Sequence, residues 1–200
     1  FLEADEIDGE TDSSVKLRGN AQWRRAGTIL KGDLIDYREV PDELEATGRV
    51  RLLRDGNLVT GPRLKLNLST GLGEFEQPLF HLGTNGAYAR ADTMHFVGSQ
   101  QVRLDKAIYS GWQCERPAWE LRADRIDLDY ESGEGIGRSA VLYFKDFPIL
   151  AAPVMSFPID DQRKSGLLMP TVGANSKGGF ETLTPYYFNI APNRDATLYP

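Results

Sequence analysis

The chain has 200 residues, 40% hydrophobic and 26% charged, a composition that excludes both a disordered tail and a bundle of membrane helices. Its net charge of −6 argues against a nucleic-acid partner and against a basic patch that binds anionic lipid. The longest uncharged stretch, residues 147–159, is too short for a membrane-spanning helix and contains three prolines.

The chain starts at Phe1 with neither a charged leader nor an apolar signal core, so we expect that any targeting peptide has been removed. Its one cysteine, Cys114, cannot form an internal disulfide. Two interpretations remain open for Cys114: a free thiol, or a bond to a cysteine outside this segment.

A short motif recurs along the chain: a small residue, an aspartate, and then two apolar residues separated by a polar one. Its aspartates are Asp5, Asp33, Asp92 and Asp124, and Pro62 takes the aspartate position in a degenerate fifth copy. The spacing stays near 30 residues, which indicates one supersecondary unit used repeatedly.

Apolar and polar residues alternate after each motif, as in half-buried β-strands. Leu64 and Leu66, for example, flank the polar Lys65. Most units also contain a second alternating run after a turn. The pattern predicts an all-β array of about ten strands, in which only residues 41–46 could form a helix.

The apolar face of such an array must close into a sandwich, a jelly roll or a solenoid. Small residues recur on the inward side of the strands, namely Gly19, Ala21, Ala46 and Gly48. They would leave voids in a packed core but would make room for a ligand in an open groove. A filled interior and a groove both remain open at this point.

The chain changes character after about residue 145. Residues 146–166 are predicted to form a proline-rich connector and a charged hinge, followed by strands over residues 167–173 and 180–190. An aromatic cluster, Tyr186 to Phe188, and short turns are the weak signature of a membrane β-barrel. Because two or three strands cannot close a barrel, the chain is expected to be truncated at Pro200.

No catalytic constellation is recognisable. His81 and His95 lack metal-ligand partners at suitable spacing, and His95 is expected to be solvated on a polar strand face. Gly133 to Gly137 lacks the strand–turn–helix setting of a phosphate cradle. The aspartates at 124, 127 and 129 are explained as the outer polar face of a strand. We therefore predict no enzymatic activity, no metal and no cofactor.

Two long motifs carry a family resemblance. Residues 159–170, IDDQRKSGLLMP, and residues 184–197, TPYYFNIAPNRDAT, closely resemble the LPS-assembly proteins of the Gram-negative outer membrane. The preceding repeats look like the periplasmic domain that this family shares with soluble lipopolysaccharide bridge proteins. The resemblance covers the whole chain and is strongest after about residue 140.

The resemblance implies a V-shaped β-jelly roll (an OstA-like repeat array) over residues 1–145, a connector over 146–166, and the first strands of a truncated transmembrane β-barrel over 167–200. It implies lipopolysaccharide transport, with residues 1–165 in the periplasm and the barrel in the cell outer membrane. The implied partners are the acyl chains of lipid A, a bridge protein of the same fold, and a plug lipoprotein inside the barrel.

The resemblance also favours the groove over a filled interior. Strand alternation then predicts a lipid groove lined by Ile35, Tyr37, Leu64, Leu66, Met94, Phe96, Ile126 and Leu128. Residues 2–7 are expected to be the edge that docks the bridge protein. The family further implies a lateral gate at Pro170 and Pro185, and a disulfide from Cys114 to a cysteine beyond residue 200.

Two alternatives compete with this interpretation. A stand-alone periplasmic carbohydrate-binding or polysaccharide-modifying β-solenoid would need solvent-facing aromatics or a carboxylate cluster in a cleft. A soluble bridge protein would share the repeats, but the barrel-like residues after 166 argue against it.

Overall fold

The structure is a computed structural model that describes residues 1–10, 13–25, 27–54, 57–82, 87–110, 117–158, 165–167, 171–175, 179–183, 185–191 and 193–199. Within these residues all regular structure is β-strand. None of the described residues belongs to a helix that could cross a membrane. The predicted all-β class is confirmed.

One large antiparallel sheet holds fourteen strands, more than the ten or so that the sequence predicts. These strands are β1 (Leu2–Glu3), β2 (Glu6–Glu10), β3 (Ser14–Arg25), β4 (Thr28–Arg38), β5 (Glu43–Arg54), β6 (Asn57–Asn67), β7 (Leu72–Glu76), β8 (Leu79–Leu82), β9 (Ala87–Arg90), β10 (Thr93–Val97), β11 (Gln101–Ser110), β12 (Trp119–Asp129), β13 (Glu134–Phe144) and β14 (Phe147–Pro158). The segment 41–46 is not helical: it is a turn that leads into β5. Most sequential strands pair, as expected for a repeat array, but β7 also pairs with β10, β8 with β6 and β9 with β11.

The repeated motif lies at a bend of the sheet rather than at the start of a strand. Asp33, in the middle of β4, faces the bulge at Gly48 and Arg49 of β5, where the pairing register shifts. The register also shifts at Asn20 of β3, and positive φ recurs at Gln77 between β7 and β8, at Lys106 of β11 and at Ser139 of β13. These residues form a continuous line across the sheet, which we call the crease. Because β-bulges bend strands, the crease divides the sheet into two halves.

The crease also shifts the alternation of inward residues. In β4, Leu30 and Ile35 are both buried although they are five positions apart; the pairing register shifts between them, because β3 and β5 each carry one extra residue opposite this part of β4. β12 shows the same shift, with Ala123 and Ile126 both buried. A strict period of two therefore holds on each side of the crease but not across it.

The hydrophobic core lies between the two halves of the bent sheet. Residues from both sides of the crease, such as Trp23 and Leu17 of β3, belong to one buried cluster. Both halves thus turn their apolar side chains toward the same interior, in agreement with a jelly-roll-like domain.

Five short strands follow in two smaller sheets. They are β15 (Gly166–Leu167), β16 (Thr171–Asn175), β17 (Gly179–Leu183), β18 (Tyr186–Ala191) and β19 (Arg194–Leu198). One sheet has the order β15-β18-β19, and the other pairs β16 with β17.

The prediction of one strand over residues 180–190 is wrong, because β17 and β18 belong to different sheets. Pro185 lies directly before β18 and not inside a strand, so the premise that it interrupts a strand from within is also wrong. A proline fits this position because a strand can begin beside a residue that lacks a backbone donor. Pro170 lies outside the described residues.

Candidate lipid cavity

A cavity of about 810 Å³ lies between the two halves of the bent sheet. One half contributes, among others, Val59, Phe80, Ala89, Tyr109 and Leu121, and the facing half contributes Met94, Phe96, Ile126, Leu128 and Met155. Its wall is mainly apolar, so it can hold a hydrocarbon group away from water.

Strand alternation directs these side chains inward. In β10, Met94 and Phe96 are 5% and 7% exposed, whereas His95 between them faces outward. The His95 Nε2 atom lies 3.1 Å from Oδ2 of Asp105, within hydrogen-bond distance, so His95 is half-buried against a carboxylate and not simply solvated, which corrects the expectation for it. Polar groups are thus excluded from the cavity side of this strand.

Strand β12, which is separated from β10 by β11, repeats the pattern. Ile126 and Leu128 line the cavity, and Asp127 between them accepts a hydrogen bond of 3.0 Å from Nε of Arg103 on the outer face. Four of the eight predicted groove residues, Met94, Phe96, Ile126 and Leu128, are therefore brought together on one cavity wall.

The other four predicted groove residues lie where the interior is filled. Ile35 and Leu64 have no exposed surface, and Tyr37 and Leu66 are half-buried against the same core. Phe75 fills this region. A Cβ atom on Gly61 would come within 2.6 Å of the Phe75 ring, so the glycine makes room for the aromatic side chain.

Tyr37 also makes a polar contact that ties it to a turn. Its hydroxyl donates to Oδ1 of Asp42 at 2.9 Å, and this hydrogen bond, with a smaller contribution from burial, raises the pKa of Tyr37. A side chain held in this way contributes to packing at the end of β4 rather than to an adaptable lipid surface.

The small residues Gly19, Ala21, Ala46 and Gly48 do not make room for a ligand, contrary to the expectation from the sequence. Ala21 and Ala46 are fully buried in the filled region. Gly19 and Gly48 have φ values of +70° and +69° and lie at the crease against the carboxylates of Asp5 and Asp33. They are small because the bulge requires it.

A polar rim lies at one end of the cavity. Nη2 of Arg54, at the end of β5, donates to the carbonyl oxygen of Ser99 at 3.5 Å, although the two residues come from opposite halves of the sheet. Asn57, Gln100 and Tyr130 contribute to the same lining. The rim brings the two halves together at this end and gives an amphiphile a polar boundary.

Sequence reasoning missed one wall of the cavity. Val59, Phe80, Ala89, Tyr109 and Leu121 belong to the second alternating runs, on the far side of the crease. Their signal was present in the alternation of β6 and β11, but the predicted groove followed only the run after each motif.

Cys114 lies outside the described residues. Among the described residues, no group of three His, Cys, Asp or Glu side chains could hold a metal ion.

The sequence of the chain is similar to those of known proteins. A family model described as "LptD protein" matches residues 136–199. Over its whole length the chain is 49% identical to the LPS-assembly protein LptD of Bordetella pertussis and 42% identical to that of Ralstonia nicotianae. It is also 48% identical over 198 residues to the protein of that name from Bordetella avium. The chain spans about a quarter of the length of each of these relatives. It belongs to the LptD family of LPS-assembly proteins.

Proposed function

We propose that this chain carries the lipid A part of lipopolysaccharide during its assembly into the outer membrane. The observation that supports this most directly is the apolar cavity of about 810 Å³ between the halves of the bent sheet, in a chain of the LptD family. The carbohydrate-binding alternative is not favoured by the relatives, which are named for lipopolysaccharide assembly.

The chemistry of the wall fits a transport role. Shielding acyl chains from water is worth roughly 0.8 kcal/mol per methylene group, so several chains need continuous apolar cover. Met94 and Met155 supply adaptable side chains, and most wall residues lack polar atoms that would fix one ligand pose. Weak apolar contacts, with no position at which the binding free energy is much more favourable than elsewhere, allow lipid to move along the wall. Transport of this kind needs no catalytic group in the chain.

The proposal extends to the arrangement in the cell envelope. Residues 1–145 form most of the periplasmic lipid-carrying domain, and β14, in the first part of the 146–166 connector, extends its sheet. Residues 167–200 form the first strands of an outer-membrane barrel that binds a plug lipoprotein. Support for the last part comes from the family match over residues 136–199 and from the packed aromatic pair Tyr186 and Phe188, whose ring centres are 4.6 Å apart.

A bridge protein of the same fold is the proposed donor of lipid. Among the described residues, β1 and β2 pair only with β3 and leave a free edge at residues 2–10. Strand addition at this edge would continue the sheet into a second, similar sheet and join their apolar interiors.

Photocrosslinking in living cells tests the lipid role. A photoreactive residue at Met94, Phe96 or Ile126 is expected to capture lipopolysaccharide, and one at His95 or Asp127, on the same strands, is expected not to. The outward positions are matched controls because they differ only in the face of the strand. Equal capture from both faces, or none from the inward face, would contradict the proposal.

A further inference from the structure

The polar rim of the cavity gathers side chains from three turns of the large sheet. Arg54 and Asn57 flank the β5–β6 turn, Ser99 and Gln100 lie in the β10–β11 turn, and Tyr130 follows β12. The backbone N–H of Tyr130 donates to the carbonyl oxygen of Gln100 at 2.9 Å and so links two of these turns. The contact from Arg54 to Ser99 links the third. Both halves of the sheet therefore supply polar groups to one end of a mainly apolar cavity.

The charge at the rim is the opposite of the net charge of the chain. The chain has 29 acidic and 23 basic residues. Among the described residues that line the cavity, however, Arg54 is the one cation and none is acidic. An apolar cavity with a cation at its polar end is complementary to an amphiphile with an anionic head group.

The carboxylate of Asp129, which precedes Tyr130, is engaged by its own turn. It accepts hydrogen bonds of 3.0 Å from the backbone N–H groups of Glu131 and Ser132. The side-chain amide of Gln101 also donates to it at 3.0 Å. These bonds, that from Ser132 foremost, lower the pKa of Asp129. Neither Asp129 nor Glu131 lines the cavity, so this turn presents no carboxylate to the rim.

Close packing fixes the backbone of the β10–β11 turn. Gly71, in the turn between β6 and β7, has a φ of +70°, and a Cβ atom there would come within 3.3 Å of the Ser99 backbone. The two turns are therefore in direct contact. A rim that is held in place before a ligand arrives loses less conformational entropy on binding.

We propose that the guanidinium group of Arg54 binds a phosphate of lipid A while the acyl chains occupy the apolar cavity. The planar donors of arginine match phosphate oxygens, and the side-chain amides of Asn57 and Gln100 supply hydrogen bonds for the sugar hydroxyl groups. At 3.5 Å the contact from Arg54 to Ser99 is long for a hydrogen bond, so it is readily exchanged for a contact with phosphate. This inference rests on the proposed function and adds the orientation of the lipid, whose head group lies at the polar rim.

The test titrates radiolabelled lipid A into the full-length protein in phosphatidylcholine nanodiscs, with a photoreactive residue in place of Phe96 to capture the lipid. Lipid A with its phosphates is compared with lipid A from which the phosphates have been removed. We expect Arg54→Gln to raise the half-saturating concentration of the phosphorylated lipid about fivefold, the effect of losing one exposed ion pair, and to leave that of the dephosphorylated lipid unchanged. Arg51→Gln is the matched control, because Arg51 is an exposed arginine of the same strand that does not line the cavity.

Equal binding of the two lipids by the wild type, the same loss for both lipids in Arg54→Gln, or an equal loss in Arg51→Gln would each overturn the phosphate site. A parallel titration with radiolabelled phosphatidylglycerol distinguishes the source of the phosphate, since an equal dependence on Arg54 would overturn the assignment to lipid A. If the wild type captures both forms of lipid A equally, the cavity keeps its transport role and only the phosphate site fails. If the wild type captures neither form, the transport role fails as well.

Discussion

Asp33 and Arg49 meet across neighbouring strands at the crease, where Nε of Arg49 donates to Oδ1 of Asp33 at 2.9 Å. The hydrogen bond from Arg49 lowers the pKa of Asp33 below its ordinary value of 3.8. The pair therefore stabilises the fold at pH values above 3.8, and this contribution is lost as the pH falls through the lower folded-state pKa. The same position recurs one repeat earlier, where Asn20 donates to Asp5, and two repeats later, where Lys106 contacts Asp92.

Substitution of a glycine in the crease by alanine is expected to destabilise the fold. In Gly48→Ala the new Cβ would lie 2.5 Å from Oδ2 of Asp33, at a residue with φ of +69°. We expect a loss of about 1–2 kcal/mol in the free energy of unfolding, because a left-handed backbone is unfavourable for alanine. Urea unfolding of the purified protein, followed by circular dichroism, measures it.

Gly9→Ala is the matched control for this experiment. A Cβ at Gly9 meets no atom within 4 Å, and its φ is not in the left-handed region. Its effect is expected to be small. Equal losses for the two variants would show that the crease places no special demand on Gly48.

The cavity predicts a loss of transport without a loss of fold. Ala89 lies half-buried on the cavity wall, and in Ala89→Trp the indole would occupy space that the lipid needs. We expect capture of lipopolysaccharide by a photocrosslinker at Phe96 to fall several-fold while the thermal midpoint changes little.

Ala118→Trp serves as the control, since Ala118 is exposed and outside the cavity lining. Wild-type capture in Ala89→Trp, or an equal fall in both variants, would mean that the cavity does not hold the lipid in transit.

The sequence predicts which strand face is buried but not which part of the interior is hollow. All eight predicted groove residues are buried or half-buried, because alternation on one side of the crease fixes the face of a strand. Ile35 lies in the filled part and Ile126 in the cavity wall, although their local patterns are alike. The difference depends on what the facing half supplies, such as Phe75, and local sequence does not encode that.

The aspartate motif shows a second limit. The spacing of the repeated aspartates is visible in the sequence. The residue that contacts each aspartate, however, lies on the next strand and changes from Asn20 to Arg49 to Lys106. Because that partner is not constant, the bulge pairing cannot be derived from one repeat. Gly19 and Gly48 were its local signal, since glycine with positive φ is common in bulges.

The first edge predicts that docking of a bridge protein depends on the backbone. Ile7 of β2 pairs with Leu17 of β3 and is exposed. Ile7→Pro removes a backbone donor that faces β3, so it should disturb the edge strand β2 and weaken binding of the bridge protein without unfolding the rest of the domain. Ile7→Thr retains the donor and is expected to bind normally. Unchanged affinity for Ile7→Pro in a pull-down or by calorimetry would exclude strand addition at this residue.

Cys114 is predicted to be disulfide-bonded in the full-length protein to a cysteine beyond residue 200. An oxidising periplasm permits the bond, and closure of so long a loop would restrict the unfolded chain. Cys114→Ser should change the mobility of the full-length protein on a non-reducing gel. With reductant the two proteins should migrate together. If they already do so without reductant, the bond does not exist.

The last prediction concerns Pro170 and Pro185 as parts of a lateral gate. Pro185 separates β17 from β18, which lie in different sheets, so the hydrogen-bonded ladder is broken at this point of the chain. A missing ladder bond lowers the stability of a seam by roughly 0.5–1.5 kcal/mol, and a few such losses would let the seam open as lipid arrives.

Pro170→Ala combined with Pro185→Ala in the full-length protein supplies two backbone donors, and the one at residue 185 would allow the ladder of β18 to begin one residue earlier. We expect the seam to tighten and delivery of lipopolysaccharide to the cell surface to slow. Labelling of surface lipopolysaccharide and sensitivity to large hydrophobic antibiotics measure this. Pro117→Ala, in the half-buried residue before β12, is the control for proline replacement as such. Since the gate depends on missing donors, wild-type delivery in the double variant would leave the two prolines with a purely structural role.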